Sequence, residues 1–168
     1  MRVGIGYDIH AFDPTRTLVL GGVKIEGAWG LKGHSDADVL LHALGDALLG
    51  AAALGDLGDH FPDSDPQWKD VPSAVILAEI LVKVRARGFR PVNVDVNVLA
   101  ERPRLAPHKE AIRMRLAGLL GLPLEAVSVK ARTNEGLDAV GKSQAIAAQA
   151  VVLLASATEA KETKEHKA

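Results

Sequence analysis

The chain contains no cysteine. That absence removes a disulfide framework and a thiolate zinc finger, so any zinc bound here takes imidazole and carboxylate. An excess of one charge is also missing. Lys and Arg total 20 against 21 Asp and Glu, a formal net charge of −1. The basic field that nucleic acid requires is therefore absent. A small phosphorylated substrate stays open, because a metal can supply positive charge locally. No run reaches the ~18 consecutive apolar residues of a membrane span. Gly4, Gly6, Asp8 and His10 break up any signal-like apolar stretch at the start. A cytoplasmic protein with neither nucleic-acid nor membrane partner is expected. Internal repeats are not evident, and no obvious nucleophile and general-base dyad stands out.

What is present fits one domain: 168 residues, 48% of them hydrophobic. The expected catalytic domain covers 1–157, and the charged, low-complexity segment 158–168 is expected to be a flexible tail. Arg2 to His10 reads as a strand, followed by a turn at Asp13-Pro14-Thr15. Leu18 to Ile25 reads as a hairpin bending at Gly21-Gly22. Residues 26–37 read as a Gly-rich loop carrying Trp29 and His34. A helix apolar nearly all round is expected from about Asp38 to Leu54, which marks it as buried. Residues 55–70 are rich in acids, Pro and Gly and read as an irregular loop. Helices follow over Ser73 to Arg87 and Pro107 to Leu120, with strands over 91–99 and 126–131 and a polar loop over 132–138. Gln144 to Ser156 is compatible with helix or strand. The fold class is α+β, an α/β sandwich-like layering with a mixed, four-stranded-type sheet and helices on one face.

The chemistry concentrates at the start. Asp8 and His10 stand two residues apart on one strand, so their side chains leave the same face. One carboxylate and one imidazole form half of a tetrahedral zinc site, and a third protein ligand would leave one position open for catalysis. The plainer alternative is a strand-end aspartate hydrogen-bonded to a histidine. His42 sits in the apolar helix, where a lone histidine is more often a satisfied core residue than a ligand. Asp38 and Asp46 flank it by four residues on nearly the same helix face, so either can accept from its second ring nitrogen. His34-Ser35 is readable as a phosphate-contacting pair or as loop surface. The acids from Asp56 to Asp65 suit a cation or substrate hydroxyls but lack EF-hand spacing. Arg102-Pro103-Arg104 follows a strand and can face phosphate. Glu135 suits Mg²⁺, which takes one or two carboxylates plus substrate phosphates.

Together these residues resemble the 2-C-methyl-D-erythritol 2,4-cyclodiphosphate synthase family of the non-mevalonate isoprenoid pathway. The match runs through Gly6 to Phe12, His34 to Val39, His42 to Leu44, Asp46 to Asp56 and Phe61 to Asp65. It continues at Asn93 to Asp95, Pro107-His108 and Val129 to Ala131, and covers roughly residues 1 to 155. The resemblance implies zinc on Asp8, His10 and His42, and Mg²⁺ or Mn²⁺ placed by Glu135 and a substrate diphosphate. It implies that His34 and Thr133 stabilise the transition state. It assigns substrate contacts to Asp8, His10, His34, Ser35 and the erythritol loops Asp56, Leu57, Gly58, Phe61, Pro62, Asp63, Ser64 and Asp65. It assigns cytidine and phosphate contacts to Ala100, Glu101, Arg102, Pro103, Arg104, Leu105, Ala106, Arg132, Thr133, Asn134 and Glu135, and a further substrate contact to Lys142. It also implies a homotrimer with sites between subunits, and it favours a strand at the C-terminal segment. Ala139 and Lys142 depart from the aromatic residue and arginine often found beside the family's central isoprenoid-diphosphate cavity. Arg132 and Asn134 replace threonines common around Thr133.

The reaction so implied cyclises 4-diphosphocytidyl-2-C-methyl-D-erythritol 2-phosphate with loss of CMP, which makes the protein a phosphorus–oxygen lyase. The alternatives are a zinc-dependent nucleotide-diphosphate phosphohydrolase and a non-enzymatic module with structural zinc. The latter needs a fourth protein ligand.

Overall fold

A computed structural model describes residues 1–156; the tail expected over 158–168 lies outside the described residues. Five strands and five helices follow in the order β1 (Arg2–Leu20), β2 (Val23–Leu31), α1 (Val39–Ala51), α2 (Leu57–His60), α3 (Ser73–Ala86), β3 (Phe89–Leu99), α4 (Lys109–Leu120), β4 (Val127–Arg132), α5 (Asp138–Gly141) and β5 (Ala145–Ser156). The strands form one mixed sheet in the order β2-β1-β5-β3-β4. Only β3 and β4 run parallel; the other neighbours are antiparallel.

The sheet has five strands, where four-stranded-type was expected. The hairpin arm expected to end at Ile25 runs on through part of the stretch read as a Gly-rich loop. The Gly21-Gly22 hairpin forms, with φ of 60° and 74°, but its second arm continues to Leu31 and carries Trp29 into the ladder. The expected turn at Asp13-Pro14-Thr15 does not end β1. It lies at a register shift between Asp13 and Thr17, where an irregular ladder spares Pro14 a missing N–H.

The C-terminal segment is a strand, as the resemblance favours. It occupies the middle of the sheet, between β1 and β3. Its alanines lower strand propensity, yet Ala148 and Ala150 are wholly buried, so packing overrides propensity. The same logic holds on β1. An added Cβ at Gly4 or Gly6 would fall 2.0 Å from the Ala47 carbonyl oxygen or 1.9 Å from that of Ala43. The glycines let α1 lie with its backbone directly on the strand.

Leu40, Leu41, Leu44, Leu48 and Leu49 of α1 are buried, each contributing roughly 1.5–3 kcal/mol by leaving water. This accounts for a helix apolar nearly all round. The helix starts at Asp38, a buried carboxylate that accepts from the Leu41 N–H at 3.1 Å and also from Gly21 and Gly22 at 2.9 and 2.6 Å. One side chain thus fastens α1 to the β1–β2 hairpin. Burial pushes its carboxyl up to about 6, although those three N–H groups oppose the shift. No helix among the described residues is long and apolar enough to cross a membrane.

Candidate metal centre and active-site cavity

Asp8 and His10 leave β1 on the α1 side, and the close approach at Gly6 brings His42 of α1 to them. His42 Nδ1 lies 3.0 Å from Asp8 Oδ2, and His10 Nδ1 lies 3.1 Å from the same oxygen. The three ligand atoms fall within 4.8 Å of one another. His10 Nδ1 is buried yet makes no hydrogen bond of good geometry, although it faces a carboxylate. Two ring nitrogens and one oxygen converging on a common point, one nitrogen unsatisfied, suit a divalent cation with nitrogen and oxygen ligands. No fourth histidine or acid joins this group among the described residues.

The electrostatics agree. Burial would raise the Asp8 carboxyl, but the facing His10 and His42 imidazoles outweigh it and hold it at about 2. Burial works against a charged His42, yet its hydrogen bond to Asp8 and the charges of Asp8, Asp38 and Asp36 raise it above the ordinary histidine value.

The far nitrogen of His42 finds neither flanking acid. Asp38 is committed to the hairpin and the helix start, and Asp46 accepts from the Leu57 N–H at 2.8 Å. Both expectations from helical spacing are therefore corrected: tertiary contacts claimed the two carboxylates first. His42 Nε2 instead lies 3.0 Å from Ser73 Oγ and 3.1 Å from Ser35 Oγ. Ser73 Oγ in turn donates to Asp36 Oδ1.

Beside the triad opens a cavity of about 480 Å³, walled by His10, Gly33, His34, Leu57, Phe61 and Trp68 among others. The acid-rich segment forms its far wall, and it is less irregular than its composition implied. Asp56 and Asp59 make a reciprocal cap that starts the short α2, and Asp65 caps a 3₁₀ turn over Pro66–Trp68. Gly58, Pro62 and Asp63 also face the cavity, whereas Ser64 and Asp65 do not line it. Trp68 stands edge-on to Phe61 with ring centroids 4.8 Å apart. Ser35 lines the cavity but is buried, its hydroxyl engaged by His42, Ser73 and the Ala37 N–H. His34 Nε2 is buried and unpartnered.

The other expected contacts gather elsewhere. None of Ala100 to Ala106 or Arg132 to Glu135 lines this cavity. Glu101 Oε1 accepts from the backbone N–H groups of Asn134 and Gly136 at 2.9 and 3.4 Å, tying the two loops together. Thr133 Oγ1 donates to Glu135 Oε1 at 2.8 Å. Glu135 holds a positive φ of 51° and is not part of the triad's group. Lys142 follows α5 at its C-terminal end.

Arg16, Asp36, Ser73, Trp68 and Ile76 belong to the site and were not found by sequence reasoning. Arg16 donates to the carbonyls of Gly33, at 2.7 Å, and Ser35, clamping the backbone on either side of His34. Nothing in its local sequence marks it. Ser73 carried a faint signal as a lone small polar residue at a helix start, and its Oγ turns inward instead of capping.

Comparison with known proteins agrees with this geometry. The chain matches the YgbB family over residues 1–155. It is 61% identical over 154 residues to the 2-C-methyl-D-erythritol 2,4-cyclodiphosphate synthase of Gloeobacter violaceus, covering 92% of this chain and 94% of that protein. The synthase of Salinibacter ruber is 54% identical over 157 residues, covering 94% of this chain and all of that protein. A solved structure of 2C-methyl-D-erythritol-2,4-cyclodiphosphate synthase in a CDP-bound form superposes with a TM-score of 0.85 at 40% identity, covering 92% of this chain and 100% of that one. The bifunctional IspDF of Campylobacter jejuni gives 0.88 at 41% identity, with this chain spanning 43% of its length. The chain therefore belongs to the YgbB family, the family of the 2-C-methyl-D-erythritol 2,4-cyclodiphosphate synthases.

Proposed function

We propose that the protein converts 4-diphosphocytidyl-2-C-methyl-D-erythritol 2-phosphate into 2-C-methyl-D-erythritol 2,4-cyclodiphosphate and CMP. The observation that carries this is the Asp8–His10–His42 triad at the edge of a cavity closed on its far side by residues 57–63. The substrate's own 2-phosphate oxygen attacks the β-phosphorus, the bond from that phosphorus to the oxygen bridging to the α-phosphate breaks, and CMP departs. The nucleophile is already anionic, so a general base is not needed. This fits a cavity whose one serine, Ser35, is turned inward. Bound at the triad and beside Glu135, divalent cations (zinc, and magnesium or manganese) would offset phosphate charge in the ground and transition states.

This chain's residues do the positioning. Leu57, Gly58, Phe61, Pro62 and Asp63 hold the methylerythritol portion folded toward the triad, converting ring closure into a pre-organised step. His34, with its free buried Nε2, serves the reacting phosphate, together with Thr133. Cytidine and its phosphates belong to the Glu101-tied loops, 100–106 and 132–135, and to Lys142.

Those loops line no part of the same chain's cavity, which supports a site completed by a neighbouring copy. The sheet supports it too. Val3, Ile5, Tyr7 and Ile9 point away from α1 and are 69%, 73%, 53% and 43% exposed, an apolar row left uncovered among the described residues. A homotrimer closed through this face accounts for both.

The test is phosphorus NMR of purified protein with the cytidine-linked substrate and divalent metal. A cyclic diphosphate appearing with stoichiometric CMP is expected. Ring-open phosphate products from attack by water would make the protein a phosphohydrolase instead. Glu135→Gln is expected to weaken the magnesium or manganese dependence of turnover more than zinc content.

A further inference from the structure

The side of His42 that faces away from the triad is as fully organised as the side that faces it. Ser73 is 1% and Ser35 5% exposed, so these two hydroxyls are shielded from bulk water and take their partners within the protein. Ser73 Oγ donates to Asp36 Oδ1, a carboxylate oxygen that acts as acceptor. The one hydroxyl proton of Ser73 is thereby committed. Ser73 then presents only lone pairs to His42 Nε2, 3.0 Å away. A lone pair on Nε2 would face a lone pair on oxygen, so Nε2 must carry a proton and donate it. Ser35 fits the same direction. Its oxygen accepts the Ala37 N–H at 3.2 Å and its proton is free to point to Ser73 Oγ at 3.3 Å. Every donor in the chain points toward Asp36.

We propose that the Ser73–Asp36 pair is a positioning device for the metal centre: by accepting the Nε2 proton of His42, it makes Nδ1 the nitrogen that gives up its proton to a metal ion and so sets the affinity of the triad for zinc. Two hydroxyls on two different elements, the loop before α1 and the first turn of α3, converge on one nitrogen. Ser73 is the residue that opens α3, so the metal centre is coupled to the seating of that helix. Histidine ligands whose second nitrogen is held in this way lose metal affinity by roughly 10- to 100-fold when the partner is removed.

The inference rests on the triad holding a divalent ion, not on which reaction follows, and its test uses no substrate. Apo-protein is titrated with zinc in competition with a chromophoric chelator. Ser73→Ala and Asp36→Asn are each expected to weaken zinc binding by about 10- to 100-fold. The double variant is expected to be little weaker than Ser73→Ala alone, because both cut one chain of hydrogen bonds. In the zinc-loaded parent, nitrogen-15 NMR is expected to show a slowly exchanging proton on His42 Nε2 that is lost in Ser73→Ala. Zinc affinity within twofold of the parent in both single variants overturns the proposal, as does a lowered apo unfolding midpoint with unaltered affinity, the signature of a packing role. If Ser73→Ala fails to fold, Asp36→Asn, which keeps the shape and removes the charge, decides the matter alone.

Discussion

The two sides of β1 carry opposite kinds of residue. Toward α1 stand Gly4, Gly6, Asp8 and His10; away from it stand Val3, Ile5, Tyr7 and Ile9. The usual arrangement would put the large apolar residues against the helix. Here the helix side is emptied by glycine, so that α1 comes close enough to deliver His42 to Asp8. The other side keeps the apolar residues for a surface that stays exposed among the described residues. One strand thus places the metal centre on one face and, under the proposed trimer, the subunit contact on the other. Small residues mark where precision is needed, and large apolar ones mark where area is needed.

The comparison breaks most severely at Gly6. Gly6→Val forces a side chain into the Ala43 carbonyl, and no rotamer relieves a clash with helix backbone. A loss of about 3 kcal/mol or more is expected, together with loss of stoichiometric zinc; urea unfolding and metal analysis check both. Normal stability would show that the approach of α1 is not a constraint. Next comes Asp38→Ala, which strands two buried N–H groups and one half-buried one. It is expected to cost about 2–4 kcal/mol, measured by the same unfolding curves.

On the opposite face, Ile5→Asp is expected to leave zinc affinity of the folded chain unchanged while shifting the mass measured by light scattering toward the monomer and lowering turnover. An undisturbed oligomer would put the subunit contact elsewhere. Arg16→Ala releases the carbonyls of Gly33 and Ser35. A fall in kcat of about tenfold is expected from misplacing His34, with zinc content intact; steady-state kinetics with metal analysis separates the two.

The smallest effect is on pH. Asp8, held at about 2 against an ordinary 3.8, stabilises the apo fold above 3.8, a contribution lost as pH falls through about 2. His42, raised above 6.5, contributes fully below 6.5, and that contribution fades as pH rises through its folded value. Apo stability therefore loses the His42 contribution on the alkaline side. Zinc displaces the proton from the triad, so the stabilisation by zinc is expected to grow over the same range. Unfolding midpoints with and without zinc across pH 6 to 9 check the sign; a gap that narrows with pH would contradict it.

Much of this was legible because it is periodic or adjacent. The two-residue spacing of Asp8 and His10 needs only the pleat of a strand to put them on one face. The leucines of α1 announce a buried helix. What failed to show were features fixed by long-range contact. β2 extends to Leu31 because Trp29, Gly30 and Leu31 pair with Thr17, Asp13 and Phe12 of β1. β5 is a strand despite its alanines because it is sandwiched between two others. Arg16 and Ser73 meet their partners across 17 to 37 positions of chain, separations at which sequence carries no pairing signal.

By itself, then, the order of residues determined the ligand pair on β1, the buried helix, the exclusion of thiolate chemistry and, through its motifs, the family. The tertiary structure alone decided which carboxylate faces His42 and which holds the hairpin, and that residues 57–63 line the cavity while residues 100–106 and 132–135 do not. The reason is one of range. Backbone periodicity acts over a few residues and is written locally, whereas a buried polar atom takes whichever partner packing brings within about 3 Å, and packing is settled by the whole chain at once.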